Sequence, residues 1–98
     1  MIKHSELFSL EGKTAVVIGG GGHICSALAQ GLASAGAKVV VADLRIEKAQ
    51  SVASAIESEC GSPTLAVEAD ATSKESLEQL LSQTASIFGK VDVLVNGA

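Results

Sequence analysis

The chain is 98 residues long, with 47% hydrophobic and 18% charged side chains. That size and balance give one domain over residues 1–98 and exclude a disordered chain. Eleven acidic against seven basic residues leave a net charge of −4, which argues against a nucleic-acid backbone or an anionic membrane surface as partner.

No apolar run approaches a membrane span, residues 1–6 (MIKHSE) lack a signal-peptide core, and two cysteines, Cys25 and Cys60, make neither a disulfide framework nor a metal cluster. A cytoplasmic setting is therefore expected. Phe8 and Phe88 are the only aromatic residues. The core has to come from Val, Leu, Ile and Ala, which suits a sheet covered by helices on both faces.

Residues 13–18 (KTAVVI) read as a short buried strand. Four glycines, Gly19 to Gly22, break it. A helix follows, with Ile24, Leu28 and Leu32 at helical spacing and Gly36 closing it. Residues 38–43 (KVVVAD) form a second strand, whose unbroken valine run suggests burial on both faces and hence a parallel sheet. Residues 45–60 make a second helix with Ala49, Val52, Ala53 and Ile56 on one face, ended by Gly61-Ser62-Pro63. Residues 64–69 (TLAVEA) are a third strand. Thr72 or Ser73 caps a third helix, and Thr72-x-x-Glu75 fits a capping box. Its apolar stripe is Leu77, Leu80, Leu81, Thr84 and Phe88, with Ile87 beside it. Residues 91–95 (VDVLV) are a fourth strand. The order β-α-β-α-β-α-β predicts an α/β fold with a parallel sheet and right-handed crossovers.

A strand that ends in glycines and opens a helix is suited to an anion. The helix start carries unpaired N–H groups and a partial positive charge, and glycine keeps side chains out of the way. Asp43 ends the next strand, close to the spacing at which a carboxylate accepts hydrogen bonds from an adenosine ribose. A carboxylate there repels a 2′-phosphate, which favours NAD. Arg45, two residues on, offers NADP a contact. Two plainer readings stand beside these: the glycines as a flexible linker, and Asp43 as the N-cap of the second helix.

These residues resemble the N-terminal part of the short-chain dehydrogenases/reductases over nearly the whole chain. Leu10-Glu11-Gly12-Lys13-Thr14-Ala15 is similar to that family's lead-in to its first strand. Gly19 to Cys25 takes the place of its TGxxxGxG loop, Asp70-Ala71-Thr72 that of its Asp-x-Thr, and residues 91–98 (VDVLVNGA) that of its fourth strand and NNAG motif. Four residues depart from the pattern: Ile18 replaces Thr, His23 and Cys25 replace the second and third loop glycines, and Gly97 replaces the second Asn. The glycine loop together with Asn-Gly-Ala is similar to the branch of D-mannonate oxidoreductases and fructuronate reductases.

The resemblance implies a Rossmann-like, doubly wound sheet of strand order 3-2-1-4, the first part of a longer 3-2-1-4-5-6-7 order. It implies a cofactor site lined by Gly19, Gly22, His23, Ile24, Asp43, Leu44, Asp70, Ala71, Asn96, Gly97 and Ala98. Asp70 would contact adenine, Ile24 would offer its backbone N–H to the pyrophosphate, and Gly97 and Ala98 would sit near the second ribose. His23 either donates a hydrogen bond to the pyrophosphate or faces water; Cys25 is a small packing residue or a thiol at a helix start.

The family's proton relay uses Ser, Tyr and Lys, and this chain contains no Tyr. The expectation is therefore a fragment: the NAD(P)-binding portion of a parent oxidoreductase acting on a secondary alcohol or ketone, with a sugar acid as the narrower reading, and without redox activity of its own. The alternatives are a standalone nucleotide-binding module and a self-associating fragment. Strand 91–95, left as an apolar edge, and a sheet face without all its helices predict a homo-oligomer.

Overall fold

In a computed structural model of the chain, residues 9–97 are described. The expectations for residues 1–6 and for Ala98 lie outside these residues. The elements are β1 (Thr14–Ile18), α1 (His23–Ser34), β2 (Lys38–Asp43), α2 (Ile46–Cys60), β3 (Thr64–Glu68), α3 (Lys74–Phe88) and β4 (Val93–Asn96). The strands form one parallel sheet in the order β3-β2-β1-β4, as the alternation of patterns predicts.

Alternate strand residues feed two separate cores. Ala15, Val17, Val39 and Val41 face α1 and α2, where they meet Cys25, Ala29, Ala33, Ala49, Ala53 and Ile56. Val16, Ile18, Val40, Ala42 and Val67 face the other way, onto Leu80 of α3. The valine run of β2 is therefore buried from both sides, and each valine contributes on the order of 1.5–3 kcal/mol relative to exposure.

Three local expectations are corrected. The first concerns α1. Its buried row is Cys25, Ala29 and Ala33, while Ile24 is 74% and Leu28 47% exposed. Both rows have helical spacing, so periodicity alone does not choose between them. The small row lets the helix backbone lie close on a sheet already filled with valine.

The second concerns α3. Leu80 and Thr84 are buried, with Leu77 and Phe88 packed beside the core, but Leu81 and Ile87 are exposed. Its cap is Ser73, whose Oγ accepts the Ser76 N–H at 3.2 Å. Thr72 does not form the capping box: its N–H and hydroxyl both donate to Asp70 Oδ1, at 2.9 and 2.6 Å.

The third concerns β4, which begins two residues later than expected and runs to Asn96. Val91 packs against the α3-side core instead. Asp92 ties the approach to β1: its N–H donates to Thr14 O at 2.9 Å, and its carboxylate accepts the Thr14 N–H at 3.0 Å. This bond, helped by Lys90 and Lys13, holds the Asp92 carboxyl below its ordinary range.

Candidate functional site

Parallel register brings the carboxyl ends of all four strands to one edge. Ile18 lies beside Ala42 on one side and Asn96 on the other, and Asp43 lies beside Glu68. Gly19, Leu44, Asp70 and Gly97 therefore emerge along the same rim. The chain leaves β1 toward β2 and later returns to pair β4 on β1's opposite side. This reversal is the topological switch point at which open α/β sheets form a crevice for ligands.

The glycine loop is built into the protein rather than slack, which excludes the linker reading. Gly19 takes φ +78°, a left-handed conformation that glycine adopts without strain. The Gly19 and Gly20 N–H groups both donate to Ala42 O, at 2.8 and 3.0 Å, and the Gly22 N–H donates to Gly19 O at 3.0 Å. At Gly20 a Cβ would lie 2.8 Å from Val41 Cγ1. At Gly21 it would lie 2.7 Å from Lys48 Cβ and 2.9 Å from Asp43 Oδ2. The protein's own packing thus demands glycine at both positions.

Asp43 is the link between loop and sheet. Its Oδ2 accepts the Gly21 N–H at 3.0 Å, and its Oδ1 accepts the Arg45 N–H at 3.0 Å. It is not the N-cap of α2; Arg45 holds that position without a side-chain cap bond. The carboxylate is aimed at the loop. Each of its oxygens takes one of these two bonds, leaving acceptor capacity on both.

With the loop N–H groups turned inward, the donors left to an anion belong to the helix start. No side chain caps α1, and its first turn carries no acidic residue. The N–H groups of His23, Ile24 and Cys25 have no intrahelical partner at such a start. Cationic character from the helix dipole adds to them.

Beside the loop lies a cleft of about 260 Å³ lined by Ile18, Gly19, Asp43, Leu44, Ala69, Asp70, Ala71 and Thr72. Five residues expected to line a cofactor are gathered here: Gly19, Asp43, Leu44, Asp70 and Ala71. Thr72 belongs with them; its place in the Asp70-Ala71-Thr72 motif was the signal for it. The two bonds from Thr72 hold the Asp70 carboxyl below its ordinary range, and both fall on Oδ1. Asp70 is therefore an oriented, charged acceptor at neutral pH.

The other expected residues are distributed differently. His23 and Ile24 do not line that cleft. They border a larger groove of about 680 Å³ between α1 and α2, with Leu28, Gln30 and Val52. Asn96 and Gly97 end β4 on the far side of β1, where the Gly97 N–H donates to Ile18 O at 2.9 Å. Gly22 joins loop to helix as the α1 N-cap. Two contacts escaped the sequence: that of Asp43 with Gly21, and that of Gly97 with Cys25, where a Cβ on Gly97 would lie 2.1 Å from the thiol sulfur. Among the described residues no group of acidic, His and Cys side chains is arranged to hold a metal ion, and no helix is long and apolar enough to cross a membrane.

Comparison with known proteins agrees with this geometry. A family model for short chain dehydrogenases matches residues 13–98. The uncharacterized oxidoreductase UxuB of Bacillus subtilis is 43% identical over 90 residues, covering 92% of this chain and 32% of that protein. A Haemophilus influenza structure with bound NAD, provisionally assigned as a D-mannonate oxidoreductase, superimposes with a TM-score of 0.89 at 32% identity, covering 98% of this chain and 34% of that one. The L-sorbose reductase of Gluconobacter frateurii, complexed with NADPH and L-sorbose, gives a TM-score of 0.88 at 30% identity, covering 93% of this chain and 35% of that one. The chain thus spans about a third of the length of such relatives.

Proposed function

Because the chain belongs to the short-chain dehydrogenase family, we propose that it forms the dinucleotide-holding portion of an NAD(P)-dependent oxidoreductase and prefers NAD. The observation that carries this reading is the Asp43 carboxylate, fixed between the Gly21 and Arg45 N–H groups in a cleft shared with Asp70. Its unused lone pairs suit the two ribose hydroxyls, and its charge disfavours a 2′-phosphate. Asp70 offers an acceptor toward adenine. The open N–H groups of His23 and Ile24 suit a pyrophosphate, and Gly97 borders the path toward the second ribose.

A bound nicotinamide would supply the hydride chemistry; the protein's part is position and acid–base help. This chain supplies the first. The Tyr that the family resemblance calls for in the second is not among its 98 residues. For the whole protein we infer a secondary alcohol or ketone as substrate, and the resemblance to a provisionally assigned D-mannonate oxidoreductase with bound NAD supports a sugar acid. Self-association belongs to the same reading, through the outer edge of β4, which carries no partner strand among the described residues and leaves Leu94 55% exposed.

The test is calorimetric titration of the chain with ADP-ribose, NADH and NADPH. ADP-ribose and NADH should bind, NADH more tightly than NADPH. Asp43→Ala should weaken NADH by roughly 10–100-fold, the loss of hydrogen bonds to a charged group, and erase the preference. No binding of ADP-ribose refutes the cofactor role; tighter binding of NADPH refutes the choice of NAD.

A further inference from the structure

At the switch point the start of α1 and the end of β4 come together, and the Cys25 side chain lies against Gly97 there. Cys25 lies in the first turn of α1, 9% exposed and packed among Ala15, Val17 and Ala29, with Val93 and Val95 of β4 against the same cluster. Gly97 follows directly on β4, held by its N–H to Ile18 O, one residue before the glycine loop begins. A Cβ on Gly97 would fall 2.1 Å from Cys25 Sγ but 3.7 Å from Cys25 Cβ. The first distance is impossible for two non-bonded atoms. The second is an ordinary contact. The whole conflict therefore resides in one sulfur atom.

Cys25 and Gly97 are also two of the four positions that depart from the short-chain dehydrogenase pattern. One gains a side chain where the family has glycine, and the other loses one where the family has asparagine. We propose that Cys25 and Gly97 form a reciprocal steric pair that sets the separation between the α1 start and the end of β4, and so positions the backbone that borders the dinucleotide. Cys25 acts as a positioning residue, with its sulfur as the spacer; Gly97 is required because the spacer is present. The sulfur has one torsion by which to escape, and it turns within a cluster already filled by Ala15, Val17 and Ala29. The inference rests on the cofactor role proposed above and adds what fixes the width of that site.

The test uses four versions of the chain: wild type, Cys25→Ala, Gly97→Ala and the double variant. NADH affinity by fluorescence and the thermal midpoint are measured for each. Gly97→Ala should weaken NADH by roughly tenfold and lower the midpoint, the usual outcome of overpacking. In the Cys25→Ala background the same change should cost no more than about twofold, since the clashing atom is gone and the pair is no longer coupled. If Gly97→Ala binds NADH as tightly as wild type, or the double variant is no better than Gly97→Ala, the pair does not exist. Coupling in the midpoint without coupling in NADH affinity overturns the positioning role. A wild-type chain that binds no NADH overturns the proposed function itself, and the midpoints alone then judge the steric contact.

Discussion

Two glycine-to-alanine changes on neighbouring elements should have opposite effects. At Gly21 a new methyl would meet Lys48 Cβ at 2.7 Å and the Asp43 carboxylate at 2.9 Å. Lys48 Cβ is fixed to the first turn of α2, and Asp43 Oδ2 is the acceptor of Gly21's own N–H, so neither can yield without loss. Overpacking of this kind costs about 1–3 kcal/mol, offset by about 0.4–1 kcal/mol from the stiffer unfolded chain. A net loss of about 1–2 kcal/mol lowers the melting temperature of a domain this size by roughly 5–15 °C. At Gly31, inside α1, nothing lies within 4 Å of an added Cβ. Alanine there gains about 0.8–1.0 kcal/mol of helix propensity and should raise the melting temperature by roughly 4–8 °C. Thermal melts followed by far-ultraviolet circular dichroism measure both. ADP-ribose titration adds a second reading, because Gly21→Ala displaces Asp43 while Gly31→Ala leaves it alone. A Gly21→Ala protein that melts with or above wild type would show that the loop is slack and that the geometry around Asp43 is wrong.

The helix cap and the acid response give further tests. Ser73→Ala removes the one side-chain cap of α3 and should cost about 1 kcal/mol, whereas Thr72→Ala, whose bonds go to Asp70, should leave helix stability closer to wild type in urea unfolding; the reverse order would restore the Thr72 capping box. Asp92 and Asp70 both have carboxyl groups held below their ordinary range. Their stabilisation is complete above the unfolded value of about 4 and is lost as pH falls through the lower folded values. Asp92→Asn should therefore flatten the decline in stability between neutral and acid pH, and urea midpoints that fall as steeply in the variant as in wild type would exclude the Thr14 bond as a source of the shift.

The topology was readable because its signals are local. The unbroken valine run at Val39–Val41 states that a strand is buried on two faces, and glycines at positions 19–22, 36, 61 and 89 mark the end of β1 and of each helix. The gathering of Asp43 and Asp70 at one rim then follows from parallel register, since both sit just past strand ends. What could not be read depended on choices that local pattern leaves equal. Ile24/Leu28 and Cys25/Ala29 are both helical rows, and only the close approach of α1 to the sheet selects the smaller. Thr72 and Ser73 are both good caps, and Asp70 decides between them by taking the Thr72 donors. Residues 91 and 92 look like strand, but the Asp92 bonds to Thr14 use the backbone as a clamp before the ladder begins.

The same distinction bears on the glycine loop, whose place the composition marks but whose hydrogen bonds it does not show. Its composition suggests an empty cradle shaped for phosphate. In the fold, the N–H groups of Gly19, Gly20, Gly21 and Gly22 are all consumed by the protein, three by backbone carbonyls and one by Asp43. In the proposed site an anion would therefore take its hydrogen bonds from the α1 start, which the glycine loop holds beside the end of β1. This arrangement is held by the protein's own hydrogen bonds. In the proposed cofactor site it would also tie phosphate and ribose recognition together, since the carboxylate that would grip the sugar is the one that holds Gly21. Weakening either end should loosen the other, and ADP-ribose, which engages both, should lose more affinity on Gly21→Ala than inorganic pyrophosphate, which engages one.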